Sequence, residues 1–273
     1  MQVLKNILNF HINASVHVAL AVYSFLRITE VYFELEHHIN LGYFTFFASI
    51  SGYNFVKYFG IAKFHHRSLT KNLKIIQFFS FICFLLMCYY GAQLTIRVLL
   101  LYGCFAILTL LYALPFLSGF QKNLRSISYV KVGVVALVWS GVTVVIPFVA
   151  SGNDLPISSA VCYAVQRMLL ICVLMVPFDI RDMKFDVISF QTIPTKIGVE
   201  QTKKMAYVLL LFALVLEFVI APGEVFRNLY LVMFFMVLFF VMRAKNEQSR
   251  YYSSFWVEAI PIIWWLLLAI CLS

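Results

Sequence analysis

The chain has 273 residues, of which 63% are hydrophobic and only 12% charged, with a formal charge of +9 and a mean hydropathy of +0.90. A soluble domain carries roughly a quarter charged residues, so this composition cannot build a water-facing surface, and a bilayer must serve as solvent for most side chains. The positive charge does not mark a nucleic-acid surface, because the lysines and arginines sit in short connections between apolar stretches, the pattern that orients membrane helices.

Those stretches run near 20 residues without period-two alternation, which predicts helices rather than barrel strands. Nine spans are expected, at 8–26, 41–59, 75–92, 98–116, 128–150, 157–178, 205–220, 228–242 and 256–272. The first has features of a secretory signal, since Lys5 precedes an apolar run containing Ala19-Leu20-Ala21. The connections argue for a retained span. Lys63, Arg67, Lys71 and Lys74 fall in the second, Lys122 and Arg125 in the fourth. Arg181, Lys184, Lys196, Lys203 and Lys204 fall in the sixth, and Arg243, Lys245 and Arg250 in the eighth. Odd connections carry Glu30, Glu34, Glu36, Asp154 and Glu224 with few basic residues. With the first span kept, the N-terminus is expected in the cytoplasm and the C-terminus outside, in the cell (inner) membrane. Residues 1–273 then form a single all-α transmembrane domain. Ala48 with Gly52, and Ala136 with Ser140, have spacing that lets helices approach closely. The six cysteines form no CxxC pair and read as packing residues.

Chemistry concentrates where the sixth span ends. Asp179, Asp182 and Asp186 follow one another at steps of three and four, which places their carboxylates on one helical face over roughly 10 Å. Their repulsion at the edge of a low-dielectric bundle must be relieved by protonation, by basic partners or by a divalent cation. Pro177 precedes the run, and Lys196, Lys203 and Lys204 follow it. An acidic cluster ringed by cations suits a metal-bridged diphosphate, while a solvated acidic turn balanced by Arg181 and Lys184 is the plainer alternative.

The segment Phe178-Asp179-Ile180-Arg181-Asp182-Met183-Lys184-Phe185-Asp186, followed by Thr192-Ile193-Pro194-Thr195-Lys196-Ile197-Gly198, resembles the second aspartate-rich motif of the UbiA superfamily of intramembrane prenyltransferases and its downstream T-x-P-x-x-x-G segment. Leu111-Tyr112-Ala113-Leu114-Pro115 and Leu124-Arg125-Ser126-Ile127-Ser128-Tyr129-Val130-Lys131 resemble that family's fourth-to-fifth-helix connection. The resemblance implies a nine-helix UbiA-like bundle that transfers a polyprenyl group from its diphosphate to a lipophilic or aromatic acceptor. It also implies Mg²⁺ held by Asp179, Asp182 and Asp186, with these three as the catalytic residues. Substrate would be bound by Asn54, Lys57, Lys63, Arg67, Tyr112, Arg125, Lys131 and Lys196.

The family's first motif, N-D-x-x-D-x-x-x-D, has as its counterpart Asn54-Phe55-Val56-Lys57-Tyr58-Phe59-Gly60-Ile61-Ala62. Only the asparagine matches, so a second ion would have no carboxylates. Either Lys57, Lys63 and Arg67 supply fixed positive charge beside a single Mg²⁺, or the protein binds a prenyl lipid without transferring it. A third reading, a small-solute transporter, would use His11, His17, Arg167 and Glu217 as a polar path. Ionisable residues inside spans usually face the bundle interior and pair, and the plain expectation joins Arg167 to Glu217 or Glu258. Arg167 lies roughly 18 Å from Asp179 along its helix, too far to share one phosphate.

Overall fold

Hydrocarbon offers the backbone no hydrogen-bonding partner, and the described residues answer with helices alone. The computed structural model describes residues 2–64, 71–113, 128–152, 156–183 and 192–272, with side chains described for all of these except 2, 59–64, 71, 72 and 128. In order they form α1 (Gln2–Asn13), α2 (Val16–Tyr32), α3 (Ile39–Phe64), α4 (Lys71–Gly91), α5 (Ile96–Ala113) and α6 (Ser128–Ser140). Then follow α7 (Ile146–Ser151), α8 (Ile157–Asp182), α9 (Ile193–Ile197), α10 (Val199–Ile220), α11 (Glu224–Arg243) and α12 (Ile260–Leu272). A π-helical stretch, Gly141–Val145, joins α6 to α7, and a second, Tyr252–Val257, precedes α12.

The expected stretches are largely helical over their described residues, with turns interrupting the first at 14–15 and the last at 258–259. The first is not straight: α1 and α2 meet at 59°, with Ser15 in the left-handed region at φ 60°. Among the described residues six helical stretches are long and apolar enough to cross a membrane, and α1 with α2 makes a seventh if taken as one broken span. Polar residues keep the other two below that mark: Asn54 and Lys57 dilute α3, while Lys203, Lys204 and Glu217 charge α10. The chain is an integral, multi-pass membrane protein.

Packing is arranged for lipid rather than water. Phe78, Phe81 and Leu85 of α4 and Leu211, Phe212, Val215 and Phe218 of α10 point outward, whereas Ala136, Ala206 and Ala213 are fully buried. Lipid tails give no hydrophobic drive between helices, so small interface residues and side-chain hydrogen bonds do the joining. α8 runs through the middle, against α6, α10 and α11 and both π stretches. At the α6–α8 seam Ala136 and Ser140 are buried, and Ser140 Oγ donates to the Ala164 carbonyl at 2.7 Å. Gly52 has open space where a Cβ would stand, so the Ala48–Gly52 spacing marks no close approach at that glycine. Gly141 does: a Cβ there would lie 2.0 Å from Phe105 Cζ.

The expected Arg167–Glu217 or Arg167–Glu258 pair does not form. Arg167, 1% exposed, donates to the Phe25 carbonyl at 3.0 Å and the Tyr163 hydroxyl at 2.7 Å, and its guanidinium lies 4.1 Å from the Phe25 ring centroid. Glu217 instead accepts from the Tyr32 hydroxyl at 2.8 Å and from Gln166 Nε2 at 2.7 Å. Neutral donors, carbonyls and ring faces solvate each charge where a counter-ion was expected. His11 and His17 belong to a different cluster: His17 Nε2 donates to the Phe255 carbonyl at 2.9 Å, which leaves His17 Nδ1 to accept from His11 Nε2 at 3.1 Å.

Candidate functional site

α8 carries the aspartates because it continues through Pro177 to Asp182. Near its end the helix is held from outside: Gln248 Nε2 donates to the Pro177 carbonyl at 2.6 Å and to Ser253 Oγ at 2.9 Å. The segment after α11 thus braces the end of α8. It also fixes Arg181, whose Nη1 donates to Ser254 Oγ at 2.7 Å.

Asp179 is 2% exposed and accepts from Lys131 Nζ of α6 at 2.8 Å. Asp182 is half-buried and accepts from Arg181 Nε at 2.8 Å. Lys131 also lies within electrostatic reach of Asp182 and of Tyr112, from α5. Tyr112 reaches Tyr53 of α3, Tyr53 reaches Glu258, and Glu258 reaches both Lys57 and Arg181. With the Arg181–Asp182 pair these links form a ring of eight polar groups, drawn from five parts of the fold, each within electrostatic reach of the next. Trp139 supports this ring by donating from Nε1 to the Tyr53 hydroxyl at 2.6 Å.

Beside Asp179 an apolar cleft of about 200 Å³ runs between α6, α8 and α10, lined by Tyr129, Val132, Cys172, Val176, Met205 and Leu209 among others. The T-x-P-x-x-x-G segment closes its end. Gly198 takes φ 84°, a conformation that favours glycine, and this turns the chain from α9 into α10. α9 brings Lys196 over the exposed Tyr129 ring, 5.4 Å from its centroid.

Of the residues expected to act, the fold brings together Asp179, Asp182, Lys131, Tyr112 and Lys57, with Lys196 at the rim of the cleft. Asn54 is committed elsewhere, its Nδ2 donating to the Ala14 carbonyl at 3.0 Å and to Ser80 Oγ at 2.7 Å. Asp186, Arg67 and Arg125, and the side chain of Lys63, lie outside the described residues. Glu258 is the addition: its place inside a span marks it as an ionisable residue facing the interior, but not which partners it meets.

The fit to divalent metal differs between the two halves of the site. Asp179 and Asp182 offer carboxylate oxygens one turn apart, each with one oxygen in an ion pair, which suits a single Mg²⁺ completed by water and phosphate. On α3, Phe55 and Tyr58 offer no carboxylate, and the Tyr58 hydroxyl is spent on the Asn13 carbonyl at 2.8 Å. Among the described residues no three His, Cys, Asp or Glu side chains group as a metal site.

No protein-family model matches the chain, and comparison with curated proteins finds no match. Solved structures do match. An apo UbiA homologue from Aeropyrum pernix K1 superposes with a TM-score of 0.68 at 13% identity, over 94% of this chain and 99% of that one. A UbiA homologue from Archaeoglobus fulgidus, bound to DMAPP and Mg²⁺, superposes at 0.63 and 13% identity, over 96% and 98%. A digeranylgeranylglyceryl phosphate synthase structure superposes at 0.58 and 17% identity, over 99% and 100%. At such identities the likeness is one of architecture, and it runs nearly end to end: this chain has the UbiA fold.

Proposed function

We propose that the chain is a divergent member of the UbiA superfamily, a single transmembrane domain of nine crossings that binds a polyprenyl diphosphate at the cytoplasmic end of α8 and transfers the prenyl group to a lipophilic or aromatic acceptor. The observation that carries this reading is the pair of ion pairs at the end of α8, Lys131–Asp179 and Arg181–Asp182, set beside an apolar cleft. Amphiphilic ligands need that combination, a few placed charges at one end and an oily slot at the other.

Lys131, Arg181 and Lys196 would bind the phosphate oxygens, Lys131 moving part of its hydrogen bonding from Asp179 to the ligand. One Mg²⁺ at Asp179 and Asp182, with Asp186 completing the set, would supply further positive charge to the leaving group. The apolar walls hold the chain and exclude water, so an allylic cation meets acceptor rather than solvent. Bond breaking leaves the electron pair on the diphosphate, and the fixed cations of the ring stabilise that charge as it develops. Tyr112 and Glu258, both within electrostatic reach of Tyr53, would mark the side on which an acceptor approaches.

A second reading has its own support. The missing carboxylates of α3 and the pre-paired state of both described aspartates favour a protein that binds prenyl lipid without transfer. Purified protein with radiolabelled polyprenyl diphosphates separates the two. Transfer predicts diphosphate release that falls at least 100-fold in Asp179→Asn and Asp182→Asn; binding without release in the wild-type protein establishes the second reading. The transporter reading loses its path, because Arg167 and Glu217 bond to separate sets of partners, and His11 and His17 bond to each other and to the Phe255 carbonyl.

A further inference from the structure

The break between α1 and α2 strands carbonyl groups at the end of α1, and in hydrocarbon each needs a donor. α3 provides them one after another. Lys57 Nζ donates to Ser15 Oγ at 2.9 Å and to the Ile12 carbonyl at 3.4 Å, the Tyr58 hydroxyl to the Asn13 carbonyl, and Asn54 to the Ala14 carbonyl. These donors fall in the stretch whose counterpart in the UbiA motif carries carboxylates. Carboxylates only accept hydrogen bonds, and one at position 58 would face the Asn13 carbonyl at the negative end of the α1 dipole. A phenol there donates. Donor side chains in this stretch of α3 and the break in the first helix are therefore chemically matched.

Lys57 is the member of this set that also belongs to the ring, within electrostatic reach of Glu258 and Arg181, and Arg181 pairs with Asp182. Its hydrogen bonds to Ser15 and Ile12 hold the side chain in place, with Glu258 and Arg181 as charged neighbours. We propose that the first half of the diphosphate site has been rebuilt as a donor cap on the broken first helix, leaving Lys57 as a fixed basic group where a metal ion would otherwise be recruited. The protein then binds a prenyl diphosphate with no more than one divalent ion, and keeps measurable affinity with none. This deepens the diphosphate reading above and rests on it.

The test is binding of geranylgeranyl thiodiphosphate to the full chain in nanodiscs, in EDTA and in saturating Mg²⁺, with Mn²⁺ bound per chain counted by electron paramagnetic resonance. Lys57→Gln keeps a donor for Ser15 and removes the charge; Tyr58→Phe removes one cap bond and leaves the charge. The proposal expects wild-type binding in EDTA, a tenfold or greater loss in Lys57→Gln with little change in melting temperature, and one Mn²⁺ per chain. Tyr58→Phe should melt earlier and bind in EDTA as wild type does. Two Mn²⁺ per chain, equal affinity of wild type and Lys57→Gln in EDTA, or an equal loss in Tyr58→Phe would each overturn the proposal while leaving the diphosphate reading intact. Absence of binding in every condition overturns that reading and the proposal with it.

Discussion

Asp179 sits where a charge is costly, 2% exposed at the end of a membrane helix, and one ammonium at 2.8 Å makes that placement tolerable. Removing one member of a buried pair leaves the other uncompensated, which typically costs about 3–5 kcal/mol. Lys131→Met should therefore lower the thermal unfolding temperature in detergent sharply, and adding Asp179→Asn should recover much of the loss. Equal melting of Lys131→Met and wild type would mean that Asp179 is solvated by something other than Lys131. Helical spacing alone places Asp179 and Asp182 on one face, and the motif resemblance singles out Lys131. Glu258 shows the limit of such reading. A glutamate inside an apolar span announces an interior position, but periodicity measures distance along a helix, not across a bundle, so its neighbours Lys57 and Arg181 emerge only from the fold. Arg167 shows the same limit from the other side, since aromatic faces and a tyrosine hydroxyl stand in for the expected carboxylate.

Among the elements, the most exacting junction is the π-helical stretch Gly141–Val145. An extra residue in the turn widens the helix there, and the Phe105 ring of α5 rests on Gly141 with no room for a Cβ. Gly141→Ala forces that ring to move and should cost about 1–3 kcal/mol, while Phe105→Leu in the same chain should relieve part of it, a coupling readable from melting temperatures of the four proteins. A melting temperature of Gly141→Ala equal to wild type would mean that the ring shifts freely. The sequence announces this helix but not its bulge, because one wider turn leaves apolar composition unchanged. It is likewise blind to the bend in the first span. Nothing around Ser15 reads as a breaker, and what stabilises the break comes from side chains some 40 residues away in α3.

At the scale of the molecule, the apolar composition and long unalternating stretches are enough to require a helical bundle, and the outward-facing phenylalanines and leucines with buried alanines bear out that requirement. The number of crossings is harder to read, because α3 and α10 trade apolar length for polar residues. The proposed nine crossings would place the two ends of the chain on opposite sides. In a background without its six cysteines, a cysteine added at the C-terminus should react with a membrane-impermeant maleimide on intact cells, and one at the N-terminus only after permeabilisation. Reaction of both from the same side would remove one crossing from the topology.

The connection that braces α8 also grips the other end of the chain. Arg250 donates to Asn13 Oδ1 and Tyr251 to Asn9 Oδ1, both at 2.8 Å, while Gln248 and Ser254 hold Pro177 and Arg181. Within seven residues one strut is thus bolted to α1 at one edge and to the aspartate helix at the other. Such bonds fail once stretched beyond about 3.5 Å, so α1 cannot shift against α8 by more than a fraction of an ångström without either snapping the bolts or dragging Arg181 with it.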